Sequence, residues 1–477
     1  MQKPNVLFIL IDDMGWRDLA CYGSEFYESP NIDALCAQGM RFTDAYAACP
    51  VCSPTRASIL TGKYPSRLKL TNYIDWQRKN HPLRGRIIDA PYIDQLPSNE
   101  STLAHALREN GYDTWHVGKW HLGPENAYPD KRGFDVNVGG CEYGMPTHGY
   151  FAPWKLPVLQ GDDVPEGTYL DDHLTDKAVE LIRGSGENPF FLNLWYYLVH
   201  TPIQAKDADI AYFEEKARRM GLDQQPEFEE GGAFPYIAER RVGKHVRHRI
   251  VQSNATYAAM VKALDDNVGR VLQALEETGK TDNTLVVFTS DNGGLSTDHA
   301  STCNAPLKHG KGWMEEGGVR EPLIVRWPAT VQPGSVTHEP VSSPDFYPTL
   351  LEACGLPSKP GQHVDGKSFL PLLNGAPFER GPIFWHYPHY SNCGGHPGCS
   401  VRDGDYVLIR FFEDDHVELY NLREDLGQRR DLADELPDKK RELETALDQW
   451  LHDTGALLPI ANPDWEDQCR KGCGPHV

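Results

Sequence analysis

Long apolar runs are missing from this 477-residue chain. The run nearest the N-terminus, Val6-Leu7-Phe8-Ile9-Leu10-Ile11, is too short for a membrane span or for the apolar stretch of an export signal. No membrane insertion is expected, and the run reads as a buried strand. The chain is expected to be cytoplasmic, or the mature form of a periplasmic or secreted protein whose signal has been removed. Basic charge is also scarce, with 47 Lys and Arg against 68 Asp and Glu and a net charge of −21. Such a surface repels DNA, RNA and anionic lipid, so no nucleic-acid partner is expected, and an anionic substrate must meet a locally basic pocket. The eleven cysteines are odd in number and lack metal-finger spacing. Cys393 with Cys399 and Cys469 with Cys473 are the closest pairs, candidates for bridges only in an oxidising compartment. No internal repeat or low-complexity tract stands out.

What is present is an alternation of apolar strands and amphipathic helices. Strands are expected over 6–11, 114–117, 189–198 and 284–289. Helices are expected after Ser29-Pro30, after a cap at Ser101, around Leu174 to Ile182 and over 255–278. Continuous apolar strands separated by such helices predict an α/β fold, a large mixed, mostly parallel sheet sandwiched by helices, over residues 1–378. From about 380, short strands joined by Asp403-Gly404 and Asp414-Asp415 turns, then a helix from Pro437, predict a smaller C-terminal α+β unit over 379–477 with an antiparallel sheet. Within the first unit, the stretch 201–250 breaks the alternation, and its basic cluster Arg240, Arg241, Lys244, Arg247, His248 and Arg249 reads as a solvated helix face, with a pocket-shaping insertion as the alternative.

Four strand ends carry the chemistry, because ligands of open parallel sheets bind beyond the carboxyl ends of the strands. These ends are Asp12-Asp13, Gly118-Lys119-Trp120-His121, His200-Thr201-Pro202 and Ser290-Asp291-Asn292-Gly293. Adjacent carboxylates disfavour each other unless a cation sits between them. Asp12, Asp13, Asp291 and Asn292 therefore form a set of hard oxygen ligands suited to calcium or magnesium rather than zinc. Lys119 and His121, two apart, project to one side of an extended chain. Separately, Cys52 precedes a proline-started helix, a position that favours anions, and Arg56 one turn on can reach back toward it. Read from these residues alone, Cys52 is a thiolate nucleophile at a helix N-terminus.

The run Cys52-Ser53-Pro54-Thr55-Arg56 with Leu60-Thr61-Gly62 resembles the type I sulfatase signature at every defined position. The strings GKWHLG, SDNGG and GKGWMEEGGVREP, in that order, resemble the lysine–histidine, metal and second-lysine motifs of the same family. The match runs from residue 5 to Glu418-Leu419-Tyr420-Asn421-Leu422. The chain is thus similar to formylglycine-dependent sulfatases of the alkaline-phosphatase-like superfamily, and among them to bacterial sulfatases acting on polysaccharides. The resemblance implies that a formylglycine-generating or sulfatase-maturating enzyme oxidises Cys52, and that the hydrated aldehyde is the nucleophile. It further implies that residue 52 joins Asp12, Asp13, Asp291 and Asn292 around one cation, usually Ca2+, with Mg2+ as the alternative.

By the same resemblance, Arg56 and Lys119 hold the nucleophile, His200 and Lys311 sit by the bridging oxygen, and His121 takes the proton whose loss expels sulfate. Many members of the family place a further hydroxyl or histidine near the sulfate after the lysine–histidine motif; that position does not transfer cleanly, and the candidates here are Thr147 and His148. His386 and His389, in the aromatic string Trp385 to Tyr390 at the junction of the two units, suit a sugar ring. The implied substrate is a sulfated carbohydrate cleaved exo, with galactose or N-acetylgalactosamine 4-sulfate as the specific expectation. Two alternatives stand beside it: a phosphonate monoester or phosphodiester hydrolase of the same superfamily, and a glycan-binding pseudoenzyme.

Overall fold

Every residue from Asn5 to Ile11 is buried, as expected of a strand covered on both faces. The computed structural model describes residues 3–75, 83–159, 164–236, 244–297, 301–328 and 330–465. In chain order its strands are β1 (Asn5–Ile11), β2 (Met40–Tyr46), β3 (Ile87–Ile88), β4 (Asp113–Gly118), β5 (Val136–Val138), β6 (Phe190–Trp195), β7 (Phe228–Ala233), β8 (His245–Arg249) and β9 (Thr284–Ser290). They continue as β10 (Arg320–Arg326), β11 (Ser335–Thr337), β12 (Val341–Ser342), β13 (Ile383–Tyr387), β14 (Gly398–Asp403), β15 (Tyr406–Phe411), β16 (Val417–Asn421) and β17 (Ile460–Ala461).

The large sheet has the order β11-β2-β10-β9-β1-β6-β4-β5, with β12 also paired to β2. Only β10 is antiparallel to its neighbours, so the sheet is mixed and mostly parallel. Side chains alternate along β1. Leu7, Ile9 and Ile11 pack under helices Pro30–Ala37, Leu170–Gly184 and Ala255–Glu277, while Val6, Phe8 and Leu10 pack under helices Cys52–Thr61, Leu103–Arg108 and Phe346–Ala353. Because β1, β4, β6 and β9 are mutually parallel, their carboxyl ends lie at one edge.

Strands β13 to β16 form an antiparallel meander. Leu443 and Leu447 of helix Pro437–Asp453 close one face of it over Val401, Leu408 and Leu419. The other face packs Trp385, Tyr387 and Ile409 against Tyr46, Val51, Met314 and Val319 of the large unit. One apolar cluster therefore spans both units. Among the described residues, no helix is long and apolar enough to cross a membrane.

Several local expectations change. Thr102, not Ser101, caps helix Leu103–Arg108, because its side chain accepts the main-chain N–H of His105 in a reciprocal capping arrangement. Arg247, His248 and Arg249 are not on a helix face. They lie in β8, paired antiparallel with β7, and Arg249 is buried against Glu227 and Ser253 while Lys244 is exposed. Arg240 and Arg241 lie outside the described residues, as do Cys469 and Cys473. No disulfide joins Cys393 to Cys399. The strand expected over 189–198 ends at Trp195, where the chain leaves the sheet to deliver His200.

Candidate functional site

Cys52 is the first residue of its helix, after the extended Val51, so Pro54 lies inside the first turn rather than opening it. One turn on, Arg56 is fully buried. Its Nε donates to Asp291 Oδ2 at 2.8 Å, its guanidinium approaches Asp12 Oδ1 at 3.6 Å, and a further N–H donates to the carbonyl of Lys119 at 3.1 Å. The guanidinium also lies 5.1 Å from the centre of the Trp195 ring, at the end of β6. Burial opposes the charge of Arg56, but Asp291 and Asp12 outweigh it and raise its pKa. Lys119, also fully buried, donates to Asp12 Oδ2 at 2.7 Å.

Beyond β4 the chain turns sharply at His121, whose φ of 57° is left-handed. Its Nε2 lies 2.7 Å from the carbonyl of Ile74, which can only accept, so Nε2 carries the proton. The unprotonated Nδ1 then faces Cys52 Sγ at 3.3 Å. Burial first, then Lys119, hold the His121 pKa well below the usual imidazole range, so the ring is neutral and can accept a proton. A Cβ at Gly144 would sit 2.4 Å from His121 Cε1, so the loop carrying Thr147 and His148 lies directly against this ring.

A second histidine is oriented the same way. His200 Nδ1 lies 2.7 Å from the carbonyl of Thr201, which leaves Nε2 to accept from Lys311 Nζ at 3.0 Å. Lys311 also donates to Asp13 Oδ2 at 2.7 Å, and that oxygen is 3.5 Å from His200 Nε2. Burial and then Lys311 push the His200 pKa well down. Burial would raise Asp13, but Lys311, followed by His200 and Lys119, outweighs it and lowers the carboxyl.

The oxygen donors fit a hard cation. One atom each of Asp12, Cys52 and Asp291 lie within 4.8 Å of one another, as do one each of Asp12, Asp13 and His200. Asp12 Oδ1 and Asn292 Oδ1 are buried without a hydrogen-bond partner, although Asn292 Nδ2 donates to Asp13 Oδ1 at 2.8 Å. Burial drives the Asp12 pKa well up. Lys119 and, less strongly, Arg56 oppose this, while Asp291 and Asp13 add to it, as carboxylates crowded together do. Buried carboxylates left this way are strongly disfavoured, and a divalent ion removes the conflict.

The structure thus gathers Asp12, Asp13, Cys52, Arg56, Lys119, His121, His200, Asp291, Asn292 and Lys311 in one place. Thr147 and His148 are on the adjoining loop, 3.2 Å apart through Oγ1 and Nδ1. His386 and His389 are buried, with one ring nitrogen of each engaged in the protein: His386 Nε2 lies 2.9 Å from the carbonyl of Leu457 and His389 Nε2 2.8 Å from Thr71 Oγ1. Sequence reasoning missed Ile74, whose carbonyl selects the His121 tautomer. A main-chain acceptor leaves no mark in a pattern of side chains.

Similarity to known proteins extends over both units. Residues 4–356 match the family model described as Sulfatase, and residues 308–455 match that described as N-sulphoglucosamine sulphohydrolase, C-terminal. A "Sulfatase" of Formosa agariphila is 31% identical over 545 residues, covering 98% of this chain and 92% of that protein. The N-acetylgalactosamine-6-sulfatase of Homo sapiens is 30% identical, covering 81% of this chain and 68% of that one. The crystal structure of Ps i-CgsB in complex with k-i-k-neocarrahexaose superposes with a TM-score of 0.74 at 29% identity, covering 100% of this chain and 98% of that one.

Proposed function

The chain belongs to the sulfatase family and is a sulfuric ester hydrolase, and from that premise we propose that it removes sulfate from a carbohydrate through a formylglycine made from Cys52 and a bound Ca2+. The single observation that carries the mechanism is the tautomer of His121, whose free Nδ1 faces position 52 at 3.3 Å. At position 52 a formylglycine hydrate would offer one oxygen for attack on sulfur and a second hydroxyl whose loss of a proton would release sulfate. Asp12, Asp13, Asp291 and Asn292 with residue 52 would hold the cation, which would supply positive charge for the sulfate oxygens. Arg56 and Lys119 carry positive charge beside the nucleophile. Lys311, hydrogen-bonded to His200, forms with it the acid that meets the bridging oxygen, and His121 accepts the proton from residue 52. Modification of Cys52 requires a formylglycine-generating or sulfatase-maturating partner.

For the substrate we place a galactose or N-acetylgalactosamine sulfate first, taken from a chain end. The similarity to N-acetylgalactosamine-6-sulfatase and to a structure holding neocarrahexaose supports a sugar substrate, and the first of these names makes the 6-sulfate a rival to the 4-sulfate. Residues 379–477 are proposed to help shape the pocket, supported by Trp313 Nε1 donating to the carbonyl of Cys393 at 3.3 Å close to Lys311. Turnover measured on a panel of defined 4- and 6-sulfated sugars, alongside an aryl sulfate and a phosphonate monoester, tests the proposal. Preference for the phosphonate would overturn it.

A further inference from the structure

His200 is held by a residue that no motif marks. Tyr150 is fully buried. Its hydroxyl points at two main-chain acceptors, the carbonyls of Tyr197 at 2.6 Å and of His200 at 2.8 Å. These carbonyls bracket the turn by which the chain leaves β6, a turn closed by the His200 N–H donating to the same Tyr197 carbonyl at 3.1 Å. Tyr150 is itself fixed on every side. Its N–H donates to Gln204 Oε1 at 2.8 Å, its carbonyl accepts from Trp154 Nε1 at 2.9 Å and from the Leu170 N–H at 2.8 Å, and its ring stacks on Tyr169 with centroids 5.5 Å apart.

The imidazole of His200 has little freedom of its own. Nδ1 is engaged by the Thr201 carbonyl next in the chain, so the place of Nε2 relative to Lys311 Nζ follows the main chain of the turn. That main chain is what Tyr150 grips. The same tyrosine ends the loop that carries Thr147 and His148 and touches His121 through Gly144. Gly149, at φ +92°, lies so close to Gln204 that a Cβ there would meet Oε1 at 2.4 Å, which leaves this end of the loop no slack.

We propose that Tyr150 is the positioning residue for the leaving-group acid, its hydroxyl setting His200 Nε2 against Lys311 and tying that pair to the loop over His121. The inference rests on the sulfatase reading given above. In the step concerned, an oxygen at position 52 bonds to sulfur as the bond from sulfur to the sugar oxygen breaks with its electron pair on the sugar oxygen, which takes a proton from the His200–Lys311 pair. A displaced acid slows this step when the leaving alcohol is a poor one. It scarcely matters when the leaving group is a phenol acidic enough to depart as the anion.

The test is Tyr150→Phe, which keeps the ring and removes only the oxygen. Turnover is measured on a sugar sulfate accepted by the unsubstituted protein and on 4-nitrophenyl sulfate. The expected result is a kcat on the sugar sulfate lower by about ten-fold or more, with 4-nitrophenyl sulfate turnover nearly unchanged. An equal fall on both substrates, which a purely structural role would give, or no fall on either, overturns the proposal. Should Tyr150→Phe fail to fold, Gln204→Ala, which frees the Tyr150 main chain, replaces it. A selective fall on the sugar sulfate then supports the proposal, and an equal fall or none overturns it. Failure of the unsubstituted protein to cleave either sulfate overturns the underlying reading, and this inference with it.

Discussion

His121 turns its unprotonated Nδ1 toward Cys52 because its other nitrogen is bound to the carbonyl of Ile74 at 2.7 Å. The carbonyl can only accept, so the tautomer is fixed by the main chain rather than by another titrating group. His121→Ala removes the proposed base while leaving Arg56 and Lys119 in place. Its kcat is expected to fall by on the order of a hundred-fold or more on both sugar and aryl sulfates. Steady-state kinetics on the two substrates check this, and a loss confined to one would contradict a role at the nucleophile.

Cys52→Ala should abolish turnover, since no other group in the cluster can supply the attacking oxygen and then release sulfate. The oxygen ligands remain, so calcium should still bind, with reduced affinity. Calorimetric titration of the variant with CaCl2 and a mass spectrum of the tryptic peptide carrying residue 52 from the unsubstituted protein check the two halves. Residual activity in the variant would end the formylglycine mechanism.

The strand ends are legible in the sequence because an apolar run followed by Asp-Asp or Asp-Asn has few other uses. β10 and β13 are not. Arg320–Arg326 carries charge at three positions, yet all of it is buried; Arg320 meets Asp44 and Arg326 meets Gln38, partners far away in the sequence. The Trp385 to Tyr390 string reads as a pocket lining because aromatic and histidine side chains suit sugars, yet part of it is strand β13 and its histidines bond inside the protein. The basic run near 245 reads as a helix face because charge alone carries no period. In the structure the run is one strand of a hairpin, with Arg249 paired to Phe228 and Arg247 to Glu230 of the neighbouring strand.

Removing the cation should cost both activity and stability. With Asp12, Asp13 and Asp291 buried together, chelation leaves their repulsion to be offset by Arg56, Lys119 and Lys311 alone. Dialysis against EDTA is expected to abolish turnover and lower the unfolding midpoint. CaCl2 at about a hundred times its dissociation constant should restore about 2.7 kcal/mol. Asn292→Ala, which deletes an unpartnered buried oxygen, should weaken that calcium-dependent shift.

Asp171 makes stability depend on pH. It is fully buried, with Oδ1 accepting the N–H groups of Tyr197 at 3.0 Å and Leu198 at 3.3 Å and Oδ2 without a partner. Burial, only partly opposed by those two N–H groups, raises its pKa to about 7. The folded pKa lies above the unfolded one, so the folded state holds a proton that the unfolded state has lost. The contribution is complete below the unfolded value and disappears as pH rises through about 7. Relative to Asp171→Asn, the unsubstituted protein should lose on the order of 1 kcal/mol per pH unit across that window. Urea unfolding of the two proteins at a series of pH values checks the slope, and parallel curves would contradict it.

Arg402 ties the small sheet to the large one. From β14 it reaches Asp44 Oδ1 on β2 at 2.8 Å, and Asp44 also binds Arg320 at 3.0 Å. Arg320 in turn meets Glu316 at 3.0 Å, and Glu316 accepts the Tyr46 hydroxyl at 2.8 Å. Burial would raise the Asp44 pKa, but Arg320 and Arg402 together outweigh it and lower the carboxyl. Arg402→Met removes one cation from this buried set and leaves the rest desolvated, an imbalance that costs about 3–5 kcal/mol where it has been measured. Because Tyr46, Val319 and Trp385 belong to one apolar cluster across the boundary, the loss should lower a single unfolding transition rather than split it in two. Fluorescence and far-ultraviolet circular dichroism followed through the same urea titration should coincide. Asp44→Asn added to Arg402→Met should recover part of the lost stability, since it removes the charge left short of a partner. Failure to recover any would mean that Arg402 acts through packing alone.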